Sequence, residues 1–302
     1  MNRYSIILLC FLFGACQETG EMVFVPDNTP PPYSGVHELT VMNFINRAFI
    51  DLIGREALDS EMEKELNYLQ LRELHPLAID TFLLKLQQDT TERSGGISYR
   101  QAWAWQLYVR AKARIIEGEA DDEIAFDIAQ LEQKYVKDSL LGNEIGMSFA
   151  NQEILKLQAL LKAPVEIEAS RLSLAELHRR MIYNEIYDEI NMGSFNYVNA
   201  TFDDLFFRFP TDAEFEAGFD VIEYNRSRIV LGENCQSKRE YAEVLTNSRE
   251  FHEACIQADF LSFLGRRASH EEMMELLPVL YVEQDYEQLQ RMIMITEDYA
   301  GF

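Results

Sequence analysis

The 302-residue chain carries 51 acidic and 27 basic side chains, a formal net charge of −24. Such a surface repels phosphate backbones and anionic head groups, which excludes general nucleic-acid binding and membrane attachment through a basic patch. A content of 47% hydrophobic and 12% aromatic residues excludes a disordered chain, and only 14 Gly and 8 Pro disfavour a turn-rich all-β fold.

In chain order, Met1-Asn2-Arg3 supplies a short positive start and residues 4–13 (YSIILLCFLF) an apolar run. The run is too short to span a bilayer, which needs roughly 20 apolar residues. Gly14 and Ala15 are small and Cys16 follows, the order of a secretory signal. Residues 12–16 (LFGAC) resemble the lipobox of bacterial lipoproteins, in which the signal is cut before the cysteine and the thiol takes a diacylglyceride. Phe13 departs from the pattern, where a smaller aliphatic is usual; the loose form is similar to those of Bacteroidetes-like bacteria. The resemblance implies that residues 1–15 are a signal peptide and that Cys16 is the lipidated residue. The protein is then exported and anchored by lipid in the cell envelope, at the outer membrane. Acyl chains suffice for that, each buried methylene contributing about 0.8 kcal/mol. Residues 16–36 lack a helical period, and Pro30, Pro31 and Pro32 favour polyproline II, so this stretch reads as an extended tether.

From residue 37 to 302 the pattern predicts one all-α domain built on a unit that occurs three times, in copies at about 38–92, 172–250 and 251–302. Residues 44–62, 197–215 and 255–273 align on Arg55, Arg208 and Arg266. Asn46, Asn199 and Gln257 then match, as do Phe49, Phe202 and Phe260. Glu61, Glu214 and Glu272 match behind the arginine. Ile45, Phe49, Leu52 and Ile53 fall on one helical stripe. Gly54 and Gly265 suit the left-handed end of that helix, whereas Phe207 stands in the second copy. Thr211 with Glu214 and Ser269 with Glu272 form capping boxes; Leu58 breaks the pattern in the first copy, so Asp59 or Ser60 is expected to cap. The arginine is expected to bond the last free carbonyls of its helix and to pair with the following glutamate, a structural role favoured over anion binding. This phrase resembles a helical element of secreted bacterial proteins of uncharacterised function, some beside cytochrome c-like domains, and is similar to one in phycobilisome linker domains. The resemblance implies a packing module and no particular chemistry.

Between the first two copies lies a helical insert at 97–163. Residues 98–116 read as a basic, aromatic helix whose Trp103, Trp105, Arg110 and Arg114 are a candidate ligand or partner surface. Helices are expected at 123–136 and 151–161, the latter ended by Pro164, and a single helix at 174–190. Cys235 and Cys255 are either a disulfide, closing a loop of about 20 residues and contributing about 3 kcal/mol, or two buried thiols. Both readings stay open.

No catalytic or metal-binding pattern stands out. None of the five histidines lies in H-E-x-x-H, and the phosphate-loop, dinucleotide and nucleophile-elbow motifs are missing, so neither a metal nor a cofactor is expected. The reading that remains is a non-enzymatic lipoprotein acting as a helical scaffold, the partner-binding subunit of an exported complex. The alternatives are a lipid-anchored hydrolase or binding protein for a small ligand or glycan, and an accessory subunit of a redox complex.

Overall fold

A computed structural model describes residues 35–93 and 96–302. Cys16, the signal and nearly all of the tether lie outside the described residues. Residues His37–Phe302 form one compact unit. Its architecture is all-α, with a single two-stranded hairpin among the described residues.

The first copy comprises α1 (Glu38–Ile53), α2 (Asp59–Gln70) and α3 (Pro76–Gln88). The insert follows as α4 (Tyr99–Ile115), α5 (Asp121–Leu141) and α6 (Glu144–Glu168). Then come α7 (Leu174–Ile182), α8 (Glu185–Ile190), α9 (Ser194–Phe206) and α10 (Asp212–Tyr224). Strands β1 (Arg228–Val230) and β2 (Glu233–Cys235) pair antiparallel and lead into α11 (Lys238–Asn247) and α12 (Arg249–Leu264). The chain ends with α13 (His270–Leu277), a π-helical turn, α14 (Tyr286–Met294) and α15 (Glu297–Ala300).

The sequence stripe becomes the core. Ile45, Phe49, Leu52 and Ile53 of α1 are buried, as are Val198, Phe202 and Leu205 of α9 and Ile256, Phe260 and Phe263 of α12. Gly54, Phe207 and Gly265 all end their helices in the left-handed region, so Phe207 tolerates there what glycine adopts freely. Helix α12 closes the second copy and opens the third. By chain order, α4 holds in the first copy the place that α12 holds in the second and α15 in the third. The insert proper is therefore the α5–α6 hairpin.

Two helical expectations are corrected. Helix α6 runs through Pro164 to Glu168, because Arg100 donates to the carbonyls of Ile167 and Glu168 and holds the last turn together. The span 174–190 is two helices, not one. Asn184 is buried at the break; its Nδ2 donates to the carbonyls of Arg180 and Met181, and its Oδ1 accepts from the Tyr187 N–H that begins α8. One amide thus ends α7 and caps its successor.

The first and last helices meet. Helix α3 packs on α14 and α1 on α15. Phe44 stacks edge-on against Tyr299 and Phe302, and Arg47 donates to the Tyr299 carbonyl. By contrast, α5 packs mainly on its hairpin partner α6. The tip of this hairpin exposes Leu140 of α5 and Ile145 of α6, each 84% accessible, together with Leu141 and Phe149. None of the described helices is long and apolar enough to cross a membrane.

Candidate functional site

The three repeat arginines share one geometry. Each makes a bidentate pair with its glutamate: Arg55 to Glu61 at 2.7 and 2.8 Å, Arg208 to Glu214 at 2.9 and 2.8 Å, Arg266 to Glu272 at 2.9 and 2.7 Å. Each also donates to the carbonyl of the next residue, that of Glu56, Phe209 or Arg267. The expectation that they bond the last carbonyls of the preceding helix is corrected: the guanidinium reaches forward across the turn. Each lies over its phenylalanine, at 5.5 Å from the Phe49 ring, 5.1 Å from Phe202 and 5.3 Å from Phe260. The arginine therefore clamps the end of one helix to the start of the next through ring, carboxylate and carbonyl together.

The glutamate completes the clamp by accepting the N–H that starts the next helix, from Leu58, Thr211 or Ser269. In the first copy neither Asp59 nor Ser60 caps; Leu58 holds the cap position without a side-chain acceptor, and Glu61 alone serves. Hydrogen bonds from Arg208 and Arg266 hold Glu214 and Glu272 down to about 2. Burial opposes the charge of Glu61, but donors from Arg55, Leu58 and Tyr99 outweigh it and bring that carboxyl to about 2 as well. Asn46 accepts from the N–H of Ala57 at 3.2 Å and Gln257 from that of Ala268 at 3.0 Å, bracing the turn from behind. Pro210 stands at that place in the second copy and has no N–H, so Asn199 turns to the Phe195 carbonyl.

The copies differ in the outer partner of the arginine. Glu250 accepts from Arg208 Nε and Nη2 at 2.5 and 2.9 Å, and Asp298 from the same two atoms of Arg266 at 3.1 and 2.6 Å. Counted from the caps Ser98, Ser248 and Thr296, the equivalent residue in the first copy is Arg100. It turns inward to the carbonyls of Gln87, Ile167 and Glu168 and to Glu287. Tyr99 donates to Glu61 instead, and among the described residues no second carboxylate reaches Arg55.

Helix α4 touches α1, α3, α6 and α7, and its candidate residues point to different cavities. Trp103 is buried, with its indole N–H on Gln290, beside a cavity of about 460 Å³ lined also by Arg100, Ser173 and Tyr286. Arg110 and Arg114 line a second cavity of about 280 Å³, where they meet Asp204, Asp259, His178 and Cys255. They are tied to the protein, Arg110 by the Asp51 carbonyl and Arg114 by that of Asp203 and by stacking over Phe207. Trp105 is 44% exposed and lines a third cavity of about 500 Å³ with Arg55 and Arg93. The four residues expected as one surface are thus spread over three cavities, and only Arg110 and Arg114 share one.

In the second cavity, burial raises Asp259 to about 7 despite a hydrogen bond from Tyr286. Its Oδ2 is buried and has no hydrogen-bond partner among the described residues. Burial also lowers His178 to about 4 and raises Asp204, which accepts from Tyr187. Asp259 and His178 carried no motif; only the packing of α12 on α7 and α14 brings them into view. The disulfide is not formed. Cys255 lines this cavity, while Cys235 ends β2 beside Tyr241, and both are free thiols. Among the described residues no group of three or more His, Cys, Asp or Glu is placed to hold a metal ion.

Compared with known proteins, the chain matches no family model, no curated protein and no solved structure.

Proposed function

We propose that the chain is an exported lipoprotein, held at the outer membrane through a diacylglyceride on Cys16. In this reading its helical body is a non-enzymatic scaffold that binds a protein partner. The observation that carries the binding role is the α5–α6 hairpin, which presents Leu140, Leu141, Ile145 and Phe149 to solvent at its tip. Apolar side chains exposed together on a projecting element mark an interaction surface more often than chance. The segment 134–152 has two lysines against Asp138 and Glu144, so the tip is electrically neutral on a chain of charge −24. A photoreactive side chain at position 145 should trap one protein species in cells; the same group at the equally exposed Leu71 should not. Equal yields at both sites, or none at 145, end the docking role. The anchor is tested separately: labelled palmitate should enter the protein and be lost in Cys16→Ser.

A second reading, a lipid-anchored small-ligand or glycan-binding protein, is favoured by the cavity around Asp259. A buried carboxyl with a raised pKa beside arginines and apolar walls suits a ligand site. A ligand donor seated there would satisfy Asp259 Oδ2, and binding should weaken in Asp259→Asn.

A further inference from the structure

The repeat gives an internal standard for what surrounds its arginine, and the first copy departs from it in one respect. In the second and third copies a carboxylate, Glu250 or Asp298, covers the Nε and Nη2 edge of the guanidinium. In the first copy the equivalent residue has the opposite charge, and Arg100 turns away into the core. That edge of Arg55, where Nη2 already donates to Glu61, is left without a second carboxylate at a cavity of about 500 Å³. Apolar groups wall the rest: Trp105, Ile97, Leu161 and Val165.

A second donor lines the same cavity. Arg93 lies over the Tyr99 ring at 4.4 Å, on the tyrosine whose hydroxyl bonds the Glu61 partner of Arg55. Arg93 pairs with Asp89, yet its Nε is buried and has no hydrogen-bond partner among the described residues. A buried donor left unpaired is costly, so a ligand acceptor there would be favoured. Glu168 is the acidic side chain at the cavity, and Glu61 and Asp89 are already paired with the two arginines. A carboxylate added here produces at Arg55 the two-carboxylate arrangement that the other copies already hold.

We propose that this cavity binds a small amphipathic carboxylate, whose charged end takes at Arg55 the place of Glu250 and Asp298 and whose apolar body lies against Trp105. The site is distinct from the hairpin tip and from the cavity around Asp259, and it holds whether or not Cys16 is lipidated.

Octanoate is the probe, titrated into the purified protein by calorimetry and by tryptophan fluorescence, with 1-octanol and octylamine as controls of equal chain length. Octanoate should bind and shift the emission, and both controls should bind at least about tenfold more weakly, a charge-assisted bidentate contact being worth that much. Trp105→Ala should abolish the emission shift and weaken binding about fivefold through lost apolar contact. Arg55→Gln should weaken it tenfold or more. Because Arg55 also clamps the α1–α2 turn, Arg93→Gln, outside the clamp, gives a second measure and should weaken binding severalfold. N-acetyl-leucine tests whether the carboxylate comes on an aliphatic or an amino-acid body. No binding of either acid at millimolar concentration overturns the proposal. So does octanol binding as tightly as octanoate, or octanoate binding unchanged in a folded Arg55→Gln or in Arg93→Gln.

Discussion

At the scale of single residues, three copies of one clamp differ in burial, and burial should set what each contributes. The Glu61 side chain is 11% exposed and accepts from Arg55, Leu58 and Tyr99, whereas Glu272 is 31% exposed. Glu61→Gln leaves those donors under-satisfied and should cost about 1–3 kcal/mol. Glu272→Gln should cost less than about 1 kcal/mol, as exposed pairs do. Urea unfolding midpoints decide the order, and equal losses would show that burial is not the controlling variable. The folded pKa of each glutamate, about 2, lies below the ordinary 4.5. Their stabilisation is therefore present above the unfolded value and fades as pH falls toward 2. Asp259 has the opposite sign. Its folded pKa, raised by burial to about 7 from 3.8, gives stability that is full in acid and lost as pH rises through 7. Asp259→Asn should flatten the pH dependence of Tm between about pH 4 and pH 8 and raise Tm at the alkaline end. A variant that melts lower than the parent at pH 8 by as much as at pH 5 rules this out.

At the scale of the element, stops and starts come from side chains that either carry a sequence signature or do not. The helical stripes, the left-handed ends at Gly54 and Gly265 and the boxes at Thr211 and Ser269 were legible, because each depends on residues within one turn. The forward reach of the arginines to their glutamates was legible as a pairing, though not its direction. The continuation of α6 through Pro164 was not, since it depends on Arg100, distant in sequence. Nor were the cavities: Arg55, Arg93 and Trp105 come from three segments that only folding brings together. The α7–α8 break was hidden for a different reason. Asn184 sits in an apolar period that continues on both sides, and its effect depends on three hydrogen bonds rather than on the pattern. Asn184→Ala should therefore cost about 2 kcal/mol, the upper range of a lost cap, because the amide is 1% exposed and water cannot replace it. Chemical denaturation measures this, and a loss below about 0.5 kcal/mol would mean that the backbone breaks there on its own account.

At the scale of the whole molecule, repeats that could have stacked as an open array instead close on themselves. The buried Gln87 of α3 donates to Gln290 of α14 at 3.1 Å, and Trp103 of α4 donates to the same oxygen at 2.9 Å. Arg291 reaches Asp80 and Gln87, Arg100 reaches Glu287, and the Tyr299 hydroxyl donates to Asp51 at 2.7 Å. These bonds join the third copy to the first across nearly the whole chain, and they sit among buried rings of Phe44, Phe82 and Trp103. In an open array each unit touches only its neighbours, and losing a terminal unit leaves the others standing. Here the last two helices cover the first copy. Deleting residues 285–302 would expose Phe44 and leave Gln87 and Trp103 without the acceptors they use, a loss comparable to the whole stability of a domain. The deletion should abolish the cooperative transition in scanning calorimetry and produce a state with exposed apolar surface that binds a hydrophobic dye. The α5–α6 hairpin, packed mainly on itself, should exchange its amide hydrogens in α5 before those of α1 or α12 in the intact protein. A truncated protein that still melts sharply, with the first copy's amides protected as before, would show that the closure is a contact between finished units and not a condition for folding them.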